Sequence, residues 1–296
     1  MTIQEVLADN PFTDAVVSKW RNDLNDFNSG KKRLEDLCFI LDGDLNCLPH
    51  GAKEKLHTEL VPKPFMGNPL APVWYLPINP SYSDTDRYDD LGMCPDCDAN
   101  FFQPCSCDIM KWLDKGKDKA RCLVGRQKVL LTQLRLNSKS SFAFLEDVFN
   151  TLGECKQRRD NGGYRWWKRR LFGVESSTAD FLLRVAGVEM NATSVGEKLF
   201  VLESFPYHSK NFDVRYYTAT AYFKFWKKLV AWGIDNNKKF IVRARNKKFM
   251  QLISAANLRF NDDNRVSLKE RGAFVSRGNL TYKKETLCSI LDALRA

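Results

Sequence analysis

The sequence contains no apolar run long enough to cross a bilayer, and its N-terminal stretch MTIQEVLADNPF carries acids where a secretory signal would carry basic and then apolar residues. It also contains no internal repeat and no low-complexity tract. These absences argue against a membrane-spanning protein, a secreted protein and a repeat array. We therefore expect a soluble, cytoplasmic protein without a membrane partner.

Basic residues outnumber acidic ones. The 296 residues include 46 Lys and Arg against 36 Asp and Glu, which gives a formal net charge of +10 and an isoelectric point near 9.1. Such a balance favours a polyanionic partner, and DNA is the one we expect. At 34.1 kDa the chain can bury one large core, or one core and a small appended unit. We expect no organic cofactor and no obligate protein partner.

Nine cysteines are present, and four of them fall between residues 94 and 107. Cys94 and Cys97 have the spacing of a zinc knuckle, whereas Cys105 and Cys107 are separated by one residue. Four thiolates within reach of one ion suit structural zinc in a reducing compartment, with free thiols or an iron–sulfur cluster as the alternatives. We expect the remaining cysteines to be small buried residues, namely Cys38, Cys47, Cys122, Cys155 and Cys288.

The hydrophobic pattern changes near residue 71. Residues 1–70 are predicted to be mostly helical, with helices at 12–28 and 30–41, and to pack on a main domain at 71–296. In the main domain four short apolar runs, at residues 71–78, 198–205, 239–243 and 271–276, alternate with helical patterns at 142–152, 177–185, 218–232, 247–256 and 283–294. This alternation predicts an α/β fold, a three-layer α/β/α arrangement with a short four-stranded parallel sheet. A Cys-rich, basic insertion at about residues 84–137 interrupts it.

Polar side chains follow each of the four predicted strands. In a parallel sheet the carboxyl ends of the strands face one edge, where open α/β folds bind their ligands. We therefore expect one site built from the residues that follow the four runs: Asn79, Ser81 and Tyr82; Glu203, Tyr207, His208 and Ser209; Arg245, Asn246 and Lys247; Ser276, Arg277, Gly278 and Asn279.

The segment Ile78-Asn79-Pro80-Ser81-Tyr82 after the first run resembles the first motif of the uracil-DNA glycosylase superfamily, whose Asn or Asp positions the attacking water. The resemblance makes Asn79 the catalytic residue, although Asp84 and Asp86 are alternative bases. Residues 274–280 occupy the place of the family's last motif, which stabilises the leaving base, but they lack its histidine. That role then falls to Arg277, Asn279 or His208. Substrate contacts are expected from Ser81, Tyr82, Tyr207 and Ser276.

Glu203 occupies the place where the family commonly has an Asn that reads the base. A carboxylate accepts hydrogen bonds, so it pairs with the exocyclic amine of cytosine and not with the O4 of uracil. The alternative is that Glu203 is a buried carboxylate paired to an arginine. Together with the Trp-bearing basic segment 158–172, the resemblance implies a glycosylase for a modified cytosine such as glucosylated hydroxymethylcytosine, of the type used in bacterial defence against phages.

Backbone contacts to DNA are expected from the basic residues of segment 158–172 and of the third strand end, because cations interleaved with aromatics suit phosphates and stacking. These residues are Arg165, Lys168, Arg169, Arg245 and Lys247. The alternative for segment 158–172 is an exposed helix whose aromatics pack into the core. Two other functions are open: a non-catalytic DNA-binding module with a zinc-stabilised insertion, and a nuclease whose Mg²⁺ is bound by Asp84, Asp86, Asp89 and Asp90.

Overall fold

A computed structural model describes residues 1–48, 56–78, 131–136, 179–189, 191–209, 213–243, 246–268, 280–281 and 283–296. Many of the predicted site residues lie outside these ranges. They are Asn79, Ser81, Tyr82, the four clustered cysteines, Arg165, Lys168, Arg169, Arg245, Ser276, Arg277, Gly278 and Asn279, and the alternatives Asp84, Asp86, Asp89 and Asp90. The predicted helix at 142–152 also lies outside, and the predicted insertion is described only at 131–136.

The sheet has six strands in the order β1-β3-β2-β4-β5-β6. The strands are β1 (Phe65–Met66), β2 (Val73–Leu76), β3 (Leu199–Leu202), β4 (Lys239–Val242), β5 (Arg265–Leu268) and β6 (Leu280–Thr281). The four strands β3, β2, β4 and β5 are parallel, and the short strands β1 and β6 pair antiparallel at the two edges. The structure is thus a mixed α/β fold around a mostly parallel sheet.

Nine α-helices are described around the sheet. They are α1 (Ile3–Ala8), α2 (Asp14–Asn28), α3 (Asp42–Cys47), α4 (Ala179–Val185), α5 (Ala192–Lys198), α6 (Val214–Tyr217), α7 (Ala221–Asp235), α8 (Lys247–Ala255) and α9 (Lys284–Arg295). Short 3-10 turns occur at Leu34–Asp36 and Asp262–Asn264. None of the described helices is long and apolar enough to span a membrane.

The core is centred on the aromatic row that crosses the parallel strands. Trp74, Phe200 and Phe240 are in register on β2, β3 and β4, and all three are buried. Helix α7 packs on this row through Trp232, which stacks on Trp74, and through Gly233, where a Cβ would lie only 3.1 Å from the Trp74 ring and 3.2 Å from the Phe240 ring. Every residue of β2 and β3 is buried, so both faces of these strands are covered, as parallel sheets require.

Three predicted strands are confirmed, because β2, β3 and β4 lie within the predicted runs. The sheet nevertheless has six strands instead of four. The fourth parallel strand is β5, which precedes the run at 271–276, and that run lies outside the described residues. β5 was missed because only Val266 and Leu268 are buried in it, so the strand alternates and leaves no continuous apolar run. β1 and β6 were missed because each has only two residues.

Among the helices, α2, α4, α7, α8 and α9 confirm the predictions within a few residues. The helix predicted at 30–41 is wrong: Gly30 has a φ of 76°, and only Leu34–Asp36 form a turn of 3-10 helix. Cys288 is exposed on α9 and not buried as predicted, while Cys38 and Cys47 are half-buried. Cys122 and Cys155 lie outside the described residues.

Candidate functional site

The exits of β2 and β3 are joined at the carboxyl edge of the sheet. The Ser204 N–H donates to the Pro77 carbonyl at 3.1 Å, the Phe205 N–H donates to the Ile78 carbonyl at 2.7 Å, and the Ser204 hydroxyl donates to Pro77 at 2.9 Å. Ile78 immediately precedes the predicted catalytic Asn79. The expectation that the first two strand ends meet is therefore confirmed, and we call residues 77–78 and 203–209 the junction.

Two buried tyrosine hydroxyls donate hydrogen bonds to the backbone of the junction. The Tyr222 hydroxyl donates to the Glu203 carbonyl at 2.7 Å and lies 3.3 Å from the Pro64 carbonyl, and the Tyr217 hydroxyl donates to the Ser204 carbonyl. Burial raises the pKa of both phenols well above their ordinary value, with the charge of Glu203 adding to the effect on Tyr222. Both hydroxyls are therefore protonated donors, which fixes the direction of these bonds.

Asp44 connects the N-terminal segment to the junction. It is fully buried, and its two carboxylate oxygens accept from the Tyr207 hydroxyl at 2.7 Å and from the Ala221 N–H at 2.6 Å. Burial raises the pKa of Asp44 above its ordinary value, although the bond from Tyr207 opposes the shift. One carboxylate thus fixes both the Tyr207 ring and the start of α7, because Ala221 is the first residue of that helix.

The segment from Leu56 to Met66 runs antiparallel beside the junction. The Glu203 N–H donates to the Pro64 carbonyl at 2.7 Å, the Lys63 N–H to the Pro206 carbonyl at 3.0 Å and the His57 N–H to the His208 carbonyl at 3.0 Å. The bridge between Leu56 and Ser209 ends this pairing. The exit of β3 is therefore held on both sides, by the β2 exit and by this segment.

Besides Tyr207, four ionisable side chains lie buried in these two antiparallel segments. The exposed fractions are 7% for Glu59, 6% for Lys63, 2% for Glu203 and 1% for His208. The partly buried His57 adds a contact of 3.3 Å between its Nδ1 and the Glu59 carboxylate. Ionisable groups are rarely this buried unless they are paired or serve a site, and here both signs of charge are present.

The exit of β4 leads to a more exposed surface. Asn246 caps α8 by accepting from the Lys248 and Phe249 N–H groups at 3.0 and 3.3 Å, and Lys247 is exposed at the first turn. Burial lowers the pKa of Lys248 below its ordinary value. Helix α6, which contacts α8, carries Arg215 and Tyr216 on its exposed side.

The structure therefore brings Glu203, Tyr207, His208 and Ser209 together with the end of β2. Lys247 is at the exit of the neighbouring parallel strand, on the other side of β2 from the β3 exit. Sequence reasoning missed Asp44, Lys63 and Tyr222. Only Lys63 had a recognisable signal in the sequence. It lies between two prolines in an apolar stretch, Val61 to Phe65, and this pattern is typical of an extended segment at the edge of a sheet.

Within the described ranges, no group of three or more His, Cys, Asp or Glu side chains could hold a metal ion. The four clustered cysteines lie outside those ranges, so the zinc site stays a prediction. A shallow depression of about 310 Å³ lies at the opposite, amino edge of the sheet, between the end of α7 and the chain that leads from α8 towards β5, and its lining includes Asp235 and Arg259. None of the predicted site residues lines it.

Comparison of the chain with models of protein families, with curated proteins and with solved structures found no match.

Proposed function

We propose that the protein is a DNA glycosylase that hydrolyses the N-glycosidic bond of a flipped, modified cytosine-type base and leaves an abasic site. The observation that carries the proposal is the position of Glu203, a buried carboxylate at the exit of β3. The next two residues, Ser204 and Phe205, donate backbone hydrogen bonds to Pro77 and Ile78, the last two described residues before Asn79. Base recognition would then come from a residue whose neighbours are hydrogen-bonded to the chain that leads to Asn79.

The fixed backbone of Glu203 supports a role in selecting the base. Its N–H donates to Pro64 and its carbonyl accepts from Tyr222, so the carboxylate starts from an anchored Cα. An acceptor held in this way against the N4 amine of cytosine is satisfied, whereas against the O4 of uracil two acceptors face each other. Such a mismatch in a closed pocket rejects the wrong base strongly.

In this proposal Asn79 holds a water against the anomeric carbon while the glycosidic bond breaks. The negative charge that develops on the departing base is stabilised by Arg277, Asn279 or His208. Of these three, His208 belongs to the junction and is buried there. Ser81, Tyr82, Tyr207 and Ser276 complete the pocket.

The proposal also includes a three-layer α/β/α arrangement of the uracil-DNA glycosylase type, a zinc ion held by Cys94, Cys97, Cys105 and Cys107, and DNA backbone contacts from Arg165, Lys168, Arg169, Arg245 and Lys247. Among the described residues, Lys247 supports it by being exposed beside the carboxyl edge. A role in cytoplasmic defence against phages with modified cytosine follows from the family resemblance.

The first test is incubation of the pure protein with labelled DNA that contains cytosine, uracil or 5-substituted cytosines, including the glucosylated hydroxymethyl form. A glycosylase gives strand breaks only after alkali treatment. A nuclease gives breaks directly and only with a divalent metal, and a binding module gives neither. Alkali-dependent breaks at the modified cytosine support the proposal, and their absence from every substrate contradicts it.

The second test is the substitution Glu203→Gln, which keeps the side-chain shape but can turn an N–H towards O4. We expect it to slow release of the cytosine-type base and to narrow or reverse the discrimination against uracil-type bases. The measurement is the ratio of single-turnover rates on matched oligonucleotides. Glu59→Gln is the matched control, since it makes the same change at a buried carboxylate of the neighbouring segment. An unchanged ratio in Glu203→Gln would mean that Glu203 does not read the base.

A further inference from the structure

Helices α6 and α8 present a group of basic and aromatic side chains beside the junction that the chemistry of base release does not use. We name the set Arg215, Tyr216, Lys247 and Lys248 the ridge. We infer that the ridge binds one strand of DNA at an unstacked nucleotide, with Tyr216 stacked on the base and the lysines close to the phosphates. The inference rests on the proposed function for the identity of the strand as DNA and for the extrusion of a nucleotide into the junction.

Tyr216 is the side chain that points to a base. It is 40% exposed, although its neighbours Val214 and Tyr217 in the same helix are buried. The guanidinium carbon of Arg215 lies 5.6 Å from the centre of the Tyr216 ring, a cation–π distance. An aromatic ring that is exposed yet held by a cation is a stacking platform of the kind that single-stranded nucleic acids use.

Arg215 is itself fixed by Asp213. The Nη2 of Arg215 lies 2.6 Å from one carboxylate oxygen of Asp213, and its Nε lies 3.1 Å from the other. This two-point pairing holds the guanidinium in one plane, and it lowers the pKa of Asp213 to about 2. The platform is therefore organised before any ligand arrives, so less entropy is lost on binding.

The charge of the ridge suits phosphates. Asp213 balances the charge of Arg215, so the exposed positive charge of the ridge comes from Lys247. Lys247 is exposed, and Lys248 is near enough to Asp213 for the two charges to affect each other's pKa. Lys248 therefore lies close to the Arg215 pair, on the same helix as the exposed Lys247, and this helix contacts α6. A phosphate next to a stacked base would meet this charge.

The position of the ridge suits a nucleotide that has lost a stacking neighbour. Helix α6 follows the junction in the chain, and α8 follows the exit of β4, so both begin at the carboxyl edge of the sheet. A nucleotide extruded into the junction leaves its neighbours in the strand without a stacking partner on one side. The ridge lies where such a neighbour could find a replacement.

The test measures binding of a labelled oligothymidylate by fluorescence anisotropy over a range of salt concentrations. Tyr216→Ala should weaken binding on the order of ten-fold without changing the salt dependence, because stacking is not electrostatic. Lys247→Gln should instead reduce the slope of log K against log salt by about 0.7, the value for one phosphate contact on a single strand. Two controls accompany them: Tyr216→Phe, which keeps the ring, and Arg259→Gln, which removes a cation at the opposite edge.

A second ligand separates stacking from charge. An oligonucleotide of the same length made of abasic units keeps the phosphates but offers no base, so Tyr216→Ala should not affect its binding. Equal losses on both ligands, no loss on either, or no binding of oligothymidylate by the wild type would each overturn the inference. Failure of the proposed function looks different: the ridge variants lose binding as predicted, while no substrate yields alkali-dependent breaks.

Discussion

The junction and the ridge lie at the same edge of the sheet, and they hold their polar groups in opposite ways. In the junction and directly against it, the hydroxyls of Tyr207, Tyr217 and Tyr222 are buried, and each donates to a fixed acceptor. On the ridge, Arg215 and Lys247 stand in solvent, where salt screens their charges within about 10 Å. In the proposed function the junction would therefore discriminate between ligands, whereas the ridge would attract them.

This difference has an energetic counterpart. Removing one partner from a buried hydrogen bond leaves the other without water and costs about 1–3 kcal/mol, whereas exposed ion pairs contribute about 0–1 kcal/mol. Substitutions in and around the junction should thus change the stability of the fold, and substitutions on the ridge should change only binding. Losses of stability measured after substitutions in the two regions therefore test whether the junction and the ridge differ in this way.

The largest loss of stability is expected for Gly67→Ala, which directly follows β1 and lies against the start of β3, at the opposite edge of the sheet from the junction. Gly67 has a φ of 86°, and a Cβ there would lie 2.2 Å from the Leu199 carbonyl oxygen. Left-handed strain and the clash with backbone together should cost on the order of 4 kcal/mol. Urea unfolding measures the loss. The control is Gly43→Ala in α3, where a Cβ meets nothing within 4 Å; an equal effect of both variants would contradict the argument.

Asp44→Ala should have the next largest effect, because it leaves the Tyr207 hydroxyl and the Ala221 N–H without their acceptor. We expect a loss of roughly 3 kcal/mol in the free energy of unfolding. Asp44→Asn keeps one acceptor oxygen and should lose less. If Asp44→Ala were as stable as Asp44→Asn, the carboxylate would not be what holds α3 to the junction.

The two Asp44 variants also carry a pH dependence. Burial raises the pKa of Asp44 in the folded protein, with the bonds from Tyr207 and the Ala221 N–H and the charge of Lys224 opposing it. The stability that this group adds is therefore full below its ordinary pKa of 3.8 and is lost as the pH rises through the folded pKa. The deficit of Asp44→Asn relative to wild type should shrink as the pH rises from the ordinary pKa of 3.8 through the raised pKa of the folded protein, measured by unfolding at each pH. A deficit that grows as the pH rises would mean that folding lowers the pKa of Asp44 instead of raising it.

Tyr222→Phe and Tyr216→Phe make the same chemical change in the two regions. Tyr222→Phe removes the donor to the Glu203 carbonyl and should cost about 1 kcal/mol, since the acceptor is buried. Tyr216→Phe removes a hydroxyl from an exposed ring and should change stability by less than about 0.5 kcal/mol. Hydrogen exchange of the Ser204 and Phe205 amides should rise in the first variant only. Equal effects in both would erase the distinction between junction and ridge.

The sequence predicted the parts of this edge that depend on local pattern. β2, β3 and β4 are buried at nearly every residue, so each leaves a continuous apolar run, and the polar residues that follow β3 could be placed at the edge from the topology of parallel strands. β5 could not be found in the same way, because its alternating burial exposes Arg265 and Ser267 in part. The helix expected at 30–41 failed because its apolar residues pack in an irregular chain.

Asp44 shows why much of the junction was out of reach. In the sequence it belongs to an Asp-Gly-Asp stretch at the start of a short helix, which is typical of an exposed turn. Its burial depends on Tyr207, which comes 163 residues later in the chain. A contact that distant leaves no local signal, because either residue alone would suit the surface. The buried position of Glu203 is likewise a consequence of the paired segments around it.

The smallest effect on stability is expected for Asp213→Asn on the ridge. The carboxylate is exposed, and its pairing with Arg215 lowers its pKa to about 2. The pairing therefore contributes stability above the ordinary pKa of 3.8, and this contribution is lost as the pH falls through about 2. Solvent screening keeps that contribution small, so the unfolding midpoint at neutral pH should not change measurably. Binding of DNA, by contrast, should change, because the substitution removes a negative charge from beside the ridge, and this gain should outweigh the loss of the partner that orders Arg215. The amide of this variant carries no charge and does not neutralise Arg215, so the guanidinium becomes available to phosphate. The affinity for oligothymidylate should therefore rise, and the slope of log K against log salt should steepen by up to about 0.7. A weaker affinity with an unchanged slope would show instead that Asp213 is needed to hold Arg215 over Tyr216, and that the order of the platform matters more than its charge.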